Sequence, residues 1–179
     1  MGGRRLQSPK GNDLRPTGDR LKETLFNILG QNLTGLVIVD AFSGTGAIGI
    51  EALSRGASTV VFIDRSPESS QLIRRNLQIC GVTKGYRLMQ LDIFKCLRQL
   101  GRENFRADII FLDPPYDWKP YQDLLGLVYN VGLADQNSCV IVEHHAKSRL
   151  PESGEGYSRK RIVNQSGHSL SIYTSKLKT

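Results

Sequence analysis

Four short apolar runs punctuate the chain: Leu36–Val39, Val60–Ile63, Ile109–Leu112 and Val140–Val142. Each is rich in β-branched residues and none alternates with polar ones, which is how strands covered on both faces of a parallel sheet read. A weaker strand is predicted over Tyr86–Leu91. Helical patterns lie between the runs. Leu72, Ile73, Leu77 and Cys80 share one stripe at near-helical spacing, while Arg74, Arg75 and Gln78 fall elsewhere. Ser66 is placed to cap that helix, and Pro67 suits its first turn. A second helix is predicted near Ile93–Leu100, and a lead-in helix over 17–29 with Thr17 as its cap. Leu21, Leu25, Ile28 and Leu29 form that lead-in helix's apolar stripe. Near the end, Arg161–Val163 and the alternating Leu170, Ile172 and Thr174 flank Gln165-Ser166-Gly167, the pattern of an antiparallel hairpin. Residues 151–156 read as a loop. Repeated strand–helix alternation predicts an α/β fold: a doubly wound, mostly parallel sheet of seven strands with a C-terminal antiparallel hairpin.

The length, 179 residues, fits one domain, with residues 1–30 as a basic lead-in and 31–179 as the core. A hydrophobic fraction of 39% and a charged fraction of 23% exclude wholesale disorder. No apolar run approaches the ~20 residues that span a bilayer. The N-terminus has basic residues but no apolar stretch behind them, so it does not read as a secretory signal. Cys80, Cys96 and Cys139 lack any Cys-x-x-Cys spacing, which argues against a disulfide framework or a zinc site. A reduced, cytoplasmic protein without a metal is expected. The net charge is +7, and its placement matters more than its size. Residues 1–22 carry +4 and residues 147–179 carry +5, while the middle carries −2. Basic ends gathered on one face would attract a polyanion; dispersed, they only solvate the termini.

The first strand runs into Asp40-Ala41-Phe42-Ser43-Gly44-Thr45-Gly46-Ala47-Ile48-Gly49. Gly44, Gly46 and Gly49 match G-x-G-x-x-G, and Asp64 closes the next strand 20 residues beyond Gly44. That spacing suits a ligand with a ribose: glycines admit close backbone approach, and the acid accepts from hydroxyls. Asp40 refines the reading. A carboxylate there repels the pyrophosphate of a nicotinamide cofactor but attracts the ammonium and sulfonium of S-adenosylmethionine. Asp92, at the end of the third strand, is placed to accept from an adenine amine. Each acid alone also reads as a helix cap. Three acids at successive strand ends with a glycine loop favour ligand binding.

Asp113-Pro114-Pro115-Tyr116 follows the fourth strand. Consecutive prolines hold the chain extended, so the carbonyl between them escapes helical bonding. That carbonyl and the Asp113 side chain can converge on one planar amine, with Tyr116 laid against a base. Read alone, the tetrapeptide is an ordinary strand-terminating turn.

These residues resemble the class I S-adenosylmethionine-dependent methyltransferases that act on exocyclic amines, and within them the RsmD family, which methylates one guanine amine of small-subunit ribosomal RNA. The resemblance is carried by residues 14–27 (LRPTGDRLKETLFN), 40–57 and 111–116. It implies one Rossmann-like methyltransferase domain over 1–179. Asp40, Phe42, Gly44 and Gly46 would line the methionine end of the cofactor, Asp64 would hold its ribose and Asp92 its adenine. Arg15 and Thr17 would pack over it. Asp113 and Pro114 would accept from the target amine, Pro115 would keep the turn rigid and Tyr116 would stack on the base. Members usually begin several residues earlier, with a short strand ahead of the Gly3-Arg4-Arg5-Leu6 segment; this chain starts at Met1, just before it. The RNA grip is expected from Arg4, Arg5 and Lys10, from Trp118 after the tetrapeptide, which reads equally well as packed on the next helix, and from Arg159, Lys160 and Arg161. The implied partner is ribosomal RNA within a small subunit or an assembly intermediate, met by a monomer.

Other readings fit less. A DNA adenine methyltransferase shares the motifs but usually carries an added recognition domain. A protein glutamine methyltransferase leaves the basic ends without a purpose. A nicotinamide-dependent oxidoreductase explains only the loop and Asp64. A non-catalytic RNA-binding module would survive loss of Asp113. His144 and His145, adjacent on a strand, point to opposite faces and cannot chelate one ion. Glu143 beside them is a possible pocket residue without an assigned role.

Overall fold

The computed structural model describes residues 6–8 and 16–176. In chain order its elements are α1 (Pro16–Leu29), β1 (Val37–Ala41), α2 (Ala47–Ser54), β2 (Thr59–Ile63), α3 (Pro67–Ile79), β3 (Tyr86–Met89), α4 (Ile93–Arg102), β4 (Ile109–Leu112), α5 (Tyr121–Asn130), β5 (Cys139–His145), β6 (Ser153–Gly154), β7 (Tyr157–Gln165) and β8 (His168–Ser175). The strands form one sheet in the order β3-β2-β1-β4-β5-β8-β7-β6. β3 to β5 pair in parallel, while β8 runs antiparallel to β5 and β7 antiparallel to β8.

The apolar runs do not alternate because both faces of the sheet are covered. On one face Ile38, Val60, Phe62 and Ile109 pack with Phe26, Ile50 and Ile73 of α1, α2 and α3. Phe111, Ile141, Leu170 and Ile172 continue that face beneath Leu21 and Leu25 of α1. On the other, Val39, Val61, Ile110, Leu112 and Val142 meet Leu97 and Leu100 of α4 and Leu124, Leu125 and Val128 of α5. The register sets Asp40 level with Phe62 and Phe111, and Phe111 level with Ile141. Asp40 therefore belongs to the α1–α3 face. Asp113 and Glu143, two positions beyond Phe111 and Ile141, follow onto it by strand alternation.

Ser66 caps α3 as expected, its Oγ accepting from the Ser69 N–H at 3.2 Å with Pro67 in the first turn. α1 begins one residue earlier than expected, at Pro16, so Thr17 lies inside the helix rather than capping it. The hairpin strands are longer than their apolar patterns. Ser166 (φ 48°) and Gly167 (φ 85°) join them, both left-handed as a tight two-residue hairpin turn requires. The Thr24 hydroxyl of α1 donates to Gln165 at the start of that turn. The expected loop at 151–156 contains β6, which pairs with Tyr157 and Ser158 and makes an eighth strand. Two residues are too few to carry a periodic pattern.

Candidate active site

Asp40 ends β1 almost fully buried, at 2% exposure. Its Oδ2 accepts from the Gly49 N–H at 2.9 Å, so a strand residue caps α2 from nine positions away. Loss of hydration lifts its pKa to about 8, opposed by the Gly49 bond and reinforced by Asp113 and Asp64. Phe42 turns the chain with φ at 60°, a left-handed conformation costing on the order of 1–3 kcal/mol in a non-glycine residue. Ser43 secures the turn. Its N–H donates to the Ile63 carbonyl at 3.0 Å, and its Oγ accepts from the Ile63 N–H at 2.9 Å. Gly44 (φ 53°) donates its N–H to Asp64 Oδ2 at 2.9 Å, and Gly46 (φ 75°) stands at the start of α2. Gly49 serves packing: a Cβ there would lie 2.3 Å from Phe62 Cε1.

Asp64 also accepts from the Ser66 N–H at 2.9 Å through Oδ1. Asp92 caps α4, its Oδ1 accepting from the Phe94 N–H at 3.0 Å. All three acids thus hold backbone. Two of them also border space: Asp64 and Asp92, with Phe42, Leu91, Ile93 and Trp118, line a cleft of about 390 Å³. Trp118 is the cleft wall. Its ring stands edge-on to Phe42 at 5.0 Å and stacks on Phe94 at 6.1 Å. Of the two readings of Trp118, base stacking or packing within the fold, its contacts with Phe42 and Phe94 give the packed one, while a turn bond from the Trp118 N–H to the Pro115 carbonyl (2.8 Å) closes the loop.

Asp113 leaves β4 with its N–H donating to the Ala41 carbonyl at 3.3 Å, which joins the tetrapeptide to β1. Pro114 is buried, while Tyr116 is 60% exposed at the mouth. Asp113 is reachable by solvent, yet crowding protein atoms deplete its hydration and raise its pKa above the carboxylate range. Glu143 on β5 is raised by burial and by Asp113. Among the described residues neither Asp40 nor Asp113 forms an ion pair. Three acids with raised pKa values thus gather near the carboxyl ends of β1, β4 and β5, with no Lys or Arg among the described residues paired to them. No group of His, Cys, Asp and Glu suited to a metal occurs among the described residues.

A family model described as conserved hypothetical protein 95 matches residues 1–174. The chain belongs to this family. It is 31% identical over 170 residues to the ribosomal RNA small subunit methyltransferase D of Escherichia coli K12, across 94% of this chain and 84% of that protein. It is 34% identical over 151 residues to YlbH of Bacillus subtilis, named there as a candidate rRNA methyltransferase, across 84% of this chain and 82% of that one. The solved structure of yhhF, a candidate methyltransferase from Escherichia coli, matches with a TM-score of 0.81 and 28% identity, over 98% of this chain and 94% of that one. The match agrees with the RsmD resemblance carried by residues 14–27, 40–57 and 111–116.

The basic residues of this family member separate into three groups. Arg4, Arg5, Lys10 and Arg15 lie outside the described residues, and Thr17 is described only as part of the α1 backbone. Arg159 is committed to the fold: its Nη2 meets Glu152 Oε1 at 3.2 Å and its Nη1 donates to the Leu150 carbonyl at 3.2 Å. That corrects its reading as an RNA contact. Lys160 and Arg161 are exposed at a β-bulge, Arg161 pairing with Ile172 four strands from Asp40. Two residues of the site escape the sequence reading in different ways. Glu143 has no role assigned from its place in the chain; only the register, Leu112 opposite Val142, sets it beside Asp113. His168 carries no sequence signal of its own. The turn at Ser166-Gly167 brings it across from His145, where its Nδ1 comes within 3.5 Å of Glu143 Oε1.

Proposed function

We propose that this chain methylates the N2 amine of one guanine in small-subunit (16S) ribosomal RNA, using S-adenosylmethionine. The observation that carries the reading is the pair Asp40 and Asp113. The buried Asp40 carboxyl and the solvent-reachable Asp113 carboxyl, both with raised pKa values, flank the glycine turn at neighbouring strand ends, with no cationic partner among the described residues. Buried acids are held that way where a cationic ligand is to neutralise them. The donor set fits S-adenosylmethionine: Asp40 for the ammonium, the 390 Å³ cleft for the adenosine, Asp64 for the ribose hydroxyls and Asp92 for the adenine amine. The capping bonds do not prevent this, because a carboxylate offers about four lone-pair sites. Phe42, Gly44 and Gly46 shape the wall.

When bound, S-adenosylmethionine supplies a methyl on a sulfonium: the amine lone pair takes the methyl carbon as the S–C bonding pair returns to sulfur. Asp113 and the Pro114 carbonyl accept the two amine hydrogens, which orients the nitrogen and makes its lone pair more available. Pro115 keeps the turn rigid, and Tyr116 offers its exposed ring as a stacking platform. The proton released from the methylated amine passes to water. Turning a guanine out of its stack costs a few kcal/mol unless it lies in a loop. Residues 1–179 act as one methyltransferase domain and as a monomer in the cytoplasm, on a small subunit or assembly intermediate rather than free RNA.

The test offers labelled S-adenosylmethionine with small subunits lacking this methylation, their naked RNA and duplex DNA, followed by digestion to nucleosides and mass identification. Methylguanosine from subunits, in excess over naked RNA, is expected. Label confined to methyladenine in DNA would overturn the substrate, and no label anywhere would overturn the reading.

A further inference from the structure

Glu143 and His168 lie at the mouth of the site without a task in the mechanism above. Leu112 pairs with Val142, so the next residues, Asp113 and Glu143, stand side by side on adjacent strands, about 4.8 Å apart in backbone spacing. Both point to the α1–α3 face. Glu143 keeps 19% of its side chain exposed. His168, on β8, is its diagonal neighbour: Glu143 pairs with Leu170 and His145 with His168. His168 Nδ1 lies 3.5 Å from Glu143 Oε1, and the His168 ring meets Tyr116 edge-on at 5.9 Å. That Nδ1 is sealed from solvent and makes no hydrogen bond among the described residues. His168 therefore braces two groups at once, the Glu143 carboxyl and the exposed aromatic ring.

We propose that Glu143, braced by His168, accepts the ring N–H beside the target amine and thereby selects guanine over adenine and cytosine. The proposal rests on the methyl-transfer reading above. Three nucleobases carry an exocyclic amine. In guanine the amine adjoins N1–H, a donor. In adenine the amine adjoins the acceptor N1, and in cytosine it adjoins the acceptor N3. A base stacked on Tyr116 with its amine at Asp113 turns the neighbouring ring position toward the adjacent strand end, where Glu143 stands. A carboxylate there bonds guanine N1–H and faces a lone pair in the other two bases. Burial and the nearby Asp113 raise the Glu143 pKa to about 8, so the empty site favours the protonated carboxyl; an N–H donor such as guanine N1–H favours the carboxylate and draws the pKa back down. Glu143 is a specificity-determining contact, and His168 a positioning residue.

The test uses small subunits rebuilt with guanine, 2-aminopurine or adenine at the nucleotide that receives label. 2-Aminopurine keeps the amine but replaces N1–H with a lone pair. The wild-type chain should prefer guanine over 2-aminopurine by about 10- to 100-fold in kcat/KM, the range of one good base-edge contact. Glu143→Gln can turn its amide N–H to that lone pair, and should bring the ratio to within about fivefold of unity. His168→Gln should move the guanine preference part of the way toward the Glu143→Gln value while S-adenosylmethionine binding stays unchanged. Equal wild-type rates on guanine and 2-aminopurine would overturn the proposal without any variant. A ratio unmoved by Glu143→Gln, in a chain that still folds and binds S-adenosylmethionine, would overturn it too. No methylguanosine from wild-type chain and unmodified subunits is a different failure, that of the methyl-transfer reading itself.

Discussion

Replacing Asp40 by asparagine should stabilise the free protein while weakening its grip on S-adenosylmethionine. The Asp40 carboxyl titrates near 8 in the folded chain against 3.8 when solvated. An acid whose folded pKa is raised holds its proton in the native state and releases it on unfolding. Its contribution to stability is therefore intact below pH 4, declines as pH rises, and is fully lost above 8. Four pH units at 1.36 kcal/mol each put that loss at about 5 kcal/mol. The asparagine keeps an oxygen for the Gly49 N–H but adds an amide that must find an acceptor, a penalty of about 1–3 kcal/mol. The net expectation is a gain of about 2–4 kcal/mol at pH 9, and none or a small loss at pH 5. Urea unfolding of both proteins at pH 5, 7 and 9 measures this, with the difference between them removing every other titrating group. Calorimetric binding completes the pair. Losing the charged partner should weaken S-adenosylmethionine about 10- to 100-fold, the equivalent of one charge-assisted hydrogen bond. A stability difference independent of pH would refute the argument that burial raises the Asp40 pKa in the folded chain. Unchanged affinity would refute its role as the counter-ion.

Three further outcomes follow from the same geometry. Gly49→Ala drives a Cβ to 2.3 Å from Phe62 Cε1 and 2.8 Å from Val60 Cγ1, and should lower stability by about 1–3 kcal/mol; adding Phe62→Leu should recover part of that in thermal melts. Asp113→Ala should cut single-turnover methyl transfer by about 100-fold or more, by analogy with removing one preorganised group, while filter binding of RNA stays within about twofold; an equal loss of binding would make Asp113 a docking residue. Lys160→Gln with Arg161→Gln should flatten the dependence of log affinity on log salt by up to about two phosphate contacts and leave the melting temperature alone, whereas Arg159→Gln should lower the melting temperature through its lost bonds to Glu152 and Leu150. An unchanged salt slope in the double variant would exclude that bulge from the RNA surface.

The core was legible because local pattern and tertiary demand coincide there. Val60–Ile63 and Ile109–Leu112 read as doubly covered strands, and both are buried between α1–α3 and α4–α5. Ser66-Pro67 announced a helix start, and the hydrogen bond to Ser69 supplies it. Where the chain turns on a few residues, pattern gave less. β6 is two residues long, and its pairing depends on Tyr157 and Ser158 further along the chain. Trp118 has no periodic neighbours to give its direction, which is set by the cavity between Phe42 and Phe94. Arg159 looked like part of a basic run of three. Strand alternation and the bulge divide that run, turning one arginine toward Glu152 and leaving the other two residues exposed.

The acids of this site show why capping and ligand binding are poor alternatives in an α/β sheet. At the carboxyl end of each parallel strand the chain must turn into a helix whose first N–H groups lack partners, and an Asp at that turn satisfies them. Asp40 does so for Gly49 of α2 and Asp92 for Phe94 of α4, while Asp64 holds the turns ahead of α2 and α3 by accepting from Gly44 and Ser66. Holding those N–H groups also fixes the Asp64 and Asp92 carboxylates at the edge of the cleft. In the proposed function the cap is the positioning device, and the lone pairs it leaves unused meet the cofactor. Glu143 differs from these acids. No helix follows it, β5 runs on to His145, and none of its described partners is a backbone N–H. An acid within a strand that caps nothing and meets only His168 is not explained by the backbone it stands on. That makes Glu143, more than any of the three aspartates, the residue whose removal should change what the site accepts rather than whether the fold stands.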